Sequence, residues 1–273
     1  MAGAQAFTSV LFSRSSEVAG CIILAVMLVL ASGLADAKET PEAAKVLDRA
    51  VASISGAKVL YGTQTLVVKG EATRVTPSGQ LTTPTTTYFR FPLSIRHEVV
   101  LEGKTMAMAS TPEGAFLDTE LGALELPESA RHTLEMSAMR NPVALLKGRR
   151  GRFFEATHAG RERIADADVD LIEIRIGPNT TMIAVDAKGR MVEQRYELLT
   201  ETGRKGKMVV RLEDFRPNGQ FVYPHKIRGE LDGMFAFENR VEQVQRDPEL
   251  DPRMFAAGIG PASAGSPVSR PLK

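Results

Sequence analysis

The sequence predicts an α+β chain, mainly β, in which a strongly curved antiparallel sheet carries helices on its concave face. Three observations predict it. The first is the stretch from Met208 to Val244, MVVRLEDFRPNGQFVYPHKIRGELDGMFAFENRVEQV. Met208, Val210 and Leu212 point one way, Arg211 and Glu213 the other. Phe221, Tyr223, His225, Ile227 and Leu231 share a face. Phe235, Phe237 and Val241 share a face opposite Glu238, Arg240 and Glu242. A period of two marks strands with one buried side and one wet side. The Asn218-Gly219 and Asp232-Gly233 dipeptides take positive φ cheaply, so they predict hairpin turns and three consecutive antiparallel strands. The second observation is that strands follow strands through short turns, with no βαβ rhythm. Roughly ten strands in such a meander curl into a bent sheet or partial barrel. The third is an apolar helical insertion, Pro127 to Leu146, which must cover one face of the sheet or cap its open end.

Ahead of this domain, residues 1–37 have the pattern of a signal peptide. Arg14 supplies a positive charge, Cys21 to Leu30 reads CIILAVMLVL, and Ala35-Asp36-Ala37 fits a small-x-small cleavage site. The apolar run is shorter than the ~20 residues that span a bilayer, so cleavage before Lys38 is expected rather than an anchor. Val18-Ala19-Gly20-Cys21 resembles a lipobox, but a lipobox follows the apolar core and this one precedes it. Cys21 is the only cysteine, so the mature chain is expected to hold no disulfide, thiol nucleophile or cysteine metal site. A net charge of +1 gives no argument for nucleic acid, and the absence of Trp argues against a base-stacking platform.

In order, Thr40-Pro41-Glu42 starts a helix with a hydroxyl cap and proline in the first turn. Ala43, Leu47, Ala50, Val51 and Ile54 fall on one helical face, and Gly56 stops it. Period two begins at Leu60. Leu66, Val68 and Ala72 alternate with Val67, Lys69 and Glu71, and Pro77-Ser78-Gly79 turns the chain. Thr82 to Phe91 suits a strand, with Pro84 marking an edge or a late start. Ser94–Leu101, Thr105–Ser110 and Ala115–Thr119 follow. Ala130, Leu134 and Ala138 predict a helix within Pro127–Arg140, and Asn141 to Leu146 a second one. Strands resume at Phe153–His158, Val169–Ile176, Thr180–Asp186 and Arg190–Leu199. The Ala/Gly/Pro/Ser tail, 256–273, has too few large apolar residues to fold.

The order of these elements resembles the outer-membrane lipoprotein-sorting superfamily, of LolA and LolB type, in its divergent branch. The residues that carry the resemblance are NPVALL at Asn141–Leu146, FRPNGQFVYPHKI at Phe215–Ile227 and DPELDPRMF at Asp247–Phe255. The resemblance covers roughly Pro41 to Phe255. It implies an unclosed β-barrel over residues 38–255, with helices as a lid on an apolar cavity for acyl chains. It further implies a non-catalytic periplasmic carrier or chaperone for a lipid or an acylated lipoprotein, working with an envelope transport partner. In the LolA branch a cavity arginine is tied to the lid; Arg74, Arg90 and Arg96 all lie in the first half of the sheet, and none sits in a matching motif.

The cavity candidates are Leu66, Val68, Ile95, Val99, Leu101, Met106 and Met108 on the sheet, and Leu134, Val143, Leu145 and Leu146 on the lid. Methionine suits varied apolar ligands because it is flexible and polarisable. Other constellations are bland. His97, His132, His158 and His225 have no metal-ligand spacing, and His97 and His225 read as satisfied sheet histidines. Asp166-Ala167-Asp168-Val169-Asp170 starts like a calcium loop but lacks its glycine and glutamate, at Leu171 and Gly177, so it reads as a solvated turn. No GxSxG, GxGxxG or GxxxxGK[ST] is present, and no catalytic residue or cofactor is expected. Lys147 to Arg152 reads as a solvated helix end, or as a contact for anionic headgroups. The alternative to a carrier is an interaction or scaffold domain with a filled core.

Overall fold

The computed structural model describes residues 38–200 and 203–258. The stretch read as an export signal, its expected cleavage site and residues 259–273 of the tail lie outside the described residues.

Among the described residues, thirteen strands form one sheet. β1 (Thr65–Thr76), β2 (Gly79–Arg90), β3 (Ser94–Leu101), β4 (Lys104–Thr111), β5 (Gly114–Thr119) and β6 (Gly122–Glu125) run outward in order. Two helices follow, α3 (Glu128–Met139) and α4 (Pro142–Gly148). β7 (Phe154–Ile164), β8 (Ala167–Ile176), β9 (Asn179–Asp186), β10 (Met191–Leu199), β11 (Lys205–Asn218), β12 (Phe221–Leu231) and β13 (Met234–Arg246) then return. β13 pairs antiparallel with β1, so the spatial order is β6-β5-β4-β3-β2-β1-β13-β12-β11-β10-β9-β8-β7. The two edges, β6 and β7, are joined in sequence only through α3 and α4. This is the unclosed, mainly β architecture the alternation predicts, with more strands than the roughly ten expected.

The helices predicted from the sequence form where expected. In α1 (Pro41–Ile54) the Thr40 hydroxyl accepts from the Ala43 N–H, and Ala43, Val46, Leu47, Ala50, Val51 and Ile54 are buried. They meet Phe154, Ala156, Ile172, Ile174, Ile183 and Val185 in one core cluster. The helix lies so close to the β9–β10 turn that a Cβ on Gly189 would stand 2.4 Å from the Arg49 carbonyl oxygen; only glycine fits there. The Ser53 hydroxyl donates to the Gly189 carbonyl at 2.7 Å.

Met208–Val244 forms three adjacent antiparallel strands, as its alternation predicts. The second turn centres on Asp232 and Gly233, both at positive φ. The first sits one residue later than expected: Asn218 pairs with Phe221, leaving Gly219 and Gln220 at the tip. Asn218 stays in the strand because its amide donates to His225 Nε2 at 2.9 Å. Phe235 does not share the face of Phe237. A register shift at Gly229/Glu230 sets Phe235 opposite Glu230, with the Arg228 guanidinium over its ring.

Other departures have local causes. Residues 57–62 are a short helix, α2 (Ala57–Gly62), although period two was expected to begin at Leu60; six residues are too few to register a helical period. β6 is only four residues long, all exposed, so it shows no alternation. β7 runs past His158 to Ile164 because a bulge between His158 and Gly160 breaks its period. Pro84 sits inside a central strand, not at its start. It is tolerated because β3 pairs with β2 only from Thr85 onward, so β2 has a free side at Pro84.

The segment after β13 also packs. A 3-10 turn, Pro252–Phe255, buries Met254 and Phe255. Arg96 donates to the Met254 carbonyl at 2.8 Å, and the Gly258 N–H donates to Asp118 at 3.0 Å. Arg96 alternates with Ile95, so this segment straps the convex side of the sheet.

Candidate functional site

Register decides which side chains share the concave face. Leu66, Phe89, Ile95 and Ser110 make one row across β1–β4, and Val68, Thr87, His97 and Met108 the next. Gly70, Thr85, Val99 and Met106 make the third. The sheet residues read as cavity candidates, Leu101 included, therefore do lie on one face. The helices divide that face in two.

Under α1 and α4 it is filled. Val143 and Leu146 are 0% exposed and Leu145 2%, and they pack with Leu66, Ile95, Phe221 and Tyr223. The Asn141 side chain caps α4, accepting from the Val143 and Ala144 N–H groups. Lys147 points inward and donates to the carbonyls of Leu60, Tyr61 and Thr63, closing the end of α2. Arg149 binds Glu39 and Asp48, which hold its pKa above the usual arginine range. Arg150 lies over the Tyr61 ring at 3.7 Å. The basic run is thus largely spent on internal contacts rather than solvated as a whole.

α3 is held more loosely. It has no side-chain cap, and only Leu134 and Met136 are buried along its twelve residues. It bridges the opening of the sheet. On one lip the Ser110 hydroxyl donates to Glu135 at 3.1 Å. On the other, Gln194 donates to the Arg140 carbonyl at 2.9 Å, and the Arg140 guanidinium lies 3.6 Å from the Tyr196 ring centroid. Beneath it is a cavity of about 10 Å³ lined by Met136, Met139, Arg140, Leu145, Ile174, Ile176, Asn179 and Thr181. That is the space of a single water molecule at most.

Beyond α3 the concave face is a half-open trough. Val68, Val99, Leu101, Met106 and Met108 are all half-buried, in contrast to the buried Leu66, Ile95 and Leu134. Leu117 of β5, Ile227 of β12 and Phe237 of β13 extend it. These three were not legible as site residues, because only the register brings them to this face.

The polar expectations need two corrections. His225 is a satisfied sheet histidine, bonded to Asn218 and the Val241 carbonyl. His97 is not: Nδ1 meets the Thr87 hydroxyl at 2.9 Å, but Nε2 is buried with no partner. Burial, with the Arg74 charge second, lowers its pKa to about 4. The acidic run at Asp166–Asp170 is not simply a solvated turn either. Asp170 lies within β8, buried, bound by Arg49 of α1 and by His158 and Arg161 of β7. Among the described residues no three His, Cys, Asp or Glu side chains are grouped to hold a metal ion.

Arg96 is the buried arginine, yet it faces away from the trough. It pairs with Glu98 at 2.8 Å and Asp118 at 3.0 Å and ties down the carboxy-terminal strap, not a lid.

Solved structures share this fold. A LolA superfamily protein from Nitrosomonas europaea superposes with a TM-score of 0.54 at 13% identity, covering 78% of this chain and 96% of that one. This chain has the LolA-type fold. An outer membrane lipoprotein-sorting protein domain from Vibrio parahaemolyticus matches with a TM-score of 0.54 at 10% identity, covering 79% and 96%. A DUF1329 family protein from Desulfovibrio piger gives 0.53 at 13%, covering 79% and 98%. No family model matches the chain, and no curated protein does. The LolA-type fold accounts for the curved sheet, the opening between β6 and β7 and the helices at that opening.

Proposed function

We propose that this protein is a non-catalytic carrier that holds the acyl chains of a lipid or lipoprotein on the concave face of its sheet. It works in the cell envelope after export, handing cargo toward the outer membrane. The observation that carries the reading is the asymmetry of the covering helices. α1 and α4 are built into the core, whereas α3 rests on two buried side chains beside an open apolar trough.

The space beneath α3 admits no chain, so a chain that runs from the trough under the helix requires α3 to lift. Exposing Leu134 and Met136 costs about 3–6 kcal/mol, at ~1.5–3 kcal/mol for each side chain. Burying ten methylenes of an acyl chain returns about 8 kcal/mol at ~0.8 kcal/mol each. The exchange therefore favours longer chains over short ones. Val68, Val99, Leu101, Met106 and Met108 form the floor that receives the chain, and Leu134 leads the lid.

One observation favours a second reading. The space under the lid is about 10 Å³, which also suits an interaction domain with a filled core. Native mass spectrometry of the protein purified from its envelope separates the two. A carrier retains a lipid or acylated protein and takes up a fluorescent fatty acid in vitro. A mature protein that folds, carries nothing and binds none of several long-chain lipids would sink the carrier reading.

A further inference from the structure

The exposed large apolar side chains gather at one end of the sheet. Glu71, Arg240, Lys226 and Glu213 lie in one row across β1, β13, β12 and β11. Beyond that row the strands run to three neighbouring hairpin tips at the same end: β1–β2, β12–β13 and β10–β11. Val75 and Leu81 stand on the first tip, Met234 on the second and Leu199 on the third; Met234 is 68% exposed and Leu199 72%. The next hairpins at that end, β3–β4 and β5–β6, add Val100 and Leu121. Among the described residues, the turns at the opposite end carry one such side chain, Leu93.

Contacts join the tips. Arg204 of the β10–β11 tip binds Asp232 of the β12–β13 tip at 2.8 Å, and the Asp232 carboxylate also accepts from the Lys207 N–H at 2.9 Å. β13 pairs with β1 as far as Arg74 opposite Phe237, which sets the β1–β2 tip beside them. The polar groups of this end thus hold one another, while its apolar side chains face water. Single exposed apolar residues are ordinary on any protein, but their collection at one end marks a contact surface.

The trough opens at this end. On the concave face the buried row of Leu66, Phe89 and Ile95 lies farther from the tips, and the half-buried Val68 and Met108, then Val99 and Met106, follow toward them. We propose that this end docks on a lipid bilayer, with Leu199, Met234, Val75 and Leu81 entering the headgroup region, so that the mouth of the trough meets the membrane surface. The proposal rests on the carrier reading and deepens it: it names the surface that gives or receives the cargo. A protein partner fits this end less well. A stable protein interface buries ~800 Å² of matched surface on each side, whereas these side chains stand on separate tips with polar residues between them. A bilayer is fluid and closes around separate side chains, and its interface accommodates the cations beside them. Lys104 pairs with Glu120 at 3.2 Å and Lys205 with Glu197 at 3.4 Å, so apolar insertion rather than net charge drives the contact.

The chain holds no Trp, so a single introduced Trp reports its own surroundings. The mature Met234→Trp and Leu93→Trp proteins are mixed with vesicles of phosphatidylcholine containing a minor fraction of phosphatidylglycerol. The Met234→Trp emission is expected to move to shorter wavelength and to be quenched by lipids brominated in their acyl chains. The Leu93→Trp emission, from the opposite end, should keep the position it has in water. A double variant, Leu199→Ser with Met234→Ser, should cosediment with the vesicles at least ~10-fold more weakly than the parent, and Leu93→Ser should match the parent. The double variant should still take up a fluorescent fatty acid from solution, because the floor of the trough is untouched. Both substituted side chains are mostly exposed, so loss of folding is not expected, and thermal melts check this. A parent that does not cosediment, a double variant that cosediments as well as the parent, or equal quenching at positions 234 and 93 would overturn the docking surface; uptake of the fatty acid in the same samples would leave the carrier reading standing. Self-association of the parent without vesicles, lost in the double variant, would overturn it in favour of a contact between two copies of the chain. Vesicle docking without any fatty-acid uptake would overturn the carrier reading and support the bilayer contact alone.

Discussion

The Asn141 amide donates to the Tyr223 hydroxyl at 2.7 Å. One bond thereby joins the start of α4 to the central strand β12. Tyr223 is 2% exposed, and its burial raises its pKa above the usual tyrosine range. The same Asn141 side chain caps α4 through its carbonyl oxygen. Asn141→Ala removes the cap, about 1 kcal/mol, and strands a buried hydroxyl, a further ~1–3 kcal/mol. Urea unfolding should show a loss of about 2–4 kcal/mol in all. Tyr223→Phe should lose less, because it removes the stranded hydroxyl and keeps the ring. A larger loss for Tyr223→Phe than for Asn141→Ala would contradict this account.

Arg96 gives a second prediction, on the opposite face. Its guanidinium is buried between Glu98 and Asp118, with the Tyr88 hydroxyl 3.3 Å from Glu98. Burial, then the Glu98 charge, pushes the Tyr88 phenol up to about 12. Arg96→Met leaves two buried carboxylates with no cation and should destabilise by about 3–5 kcal/mol. It should also release the carboxy-terminal strap, seen as faster proteolysis after Phe255. A variant as stable as the parent would mean that the strap does not depend on this pair.

Much of the fold could be read from the sequence, because a half-buried sheet writes its period into the chain. Met208–Val244 shows this, as does α1 with its Thr40-Pro41 start. What could not be read depends on register and on distant partners. Asp170 looks like a surface carboxylate until β8 pairs with β9 and Arg49 arrives from α1. His97 looks like any sheet histidine until burial and Arg74 are seen together. The cavity candidates were read as one set, and the sheet members do share a face. The sequence could not show that α1 and α4 fill half of it, since helix position over a sheet leaves no periodic trace.

His97 makes stability depend on pH. Its folded pKa of about 4 lies below the ordinary histidine value of 6.5. Between those values the unfolded chain binds a proton that the folded chain refuses, so stability rises with pH from about 4 to 6.5 and is flat above. The full effect is of order 3 kcal/mol, at ~1.4 kcal/mol for each pH unit. Chemical denaturation across pH 4–7 should show this slope, and His97→Gln should flatten it. Proton NMR of the His97 ring should find it neutral at pH 6; a midpoint near 6.5 would disprove the argument.

The last prediction separates the floor of the trough from the core. Leu146 is 0% exposed and packed in the main cluster, so Leu146→Ala should cost about 2–5 kcal/mol, the usual range for a buried leucine. Met106 lies outside that cluster and is half-buried, so Met106→Ala should cost less than about 2 kcal/mol, since part of its side chain already faces open space. Ligand binding should show the reverse order of importance. Met106→Ser and Val99→Ser should abolish uptake of a fluorescent fatty acid while leaving the melting curve close to the parent's. Conservative replacement of Leu146 by Met should leave uptake intact. If Met106→Ala proves as destabilising as Leu146→Ala, the trough is part of the core and α3 covers no ligand site. If the serine variants fold and still take up the fatty acid, the chain lies elsewhere on the molecule.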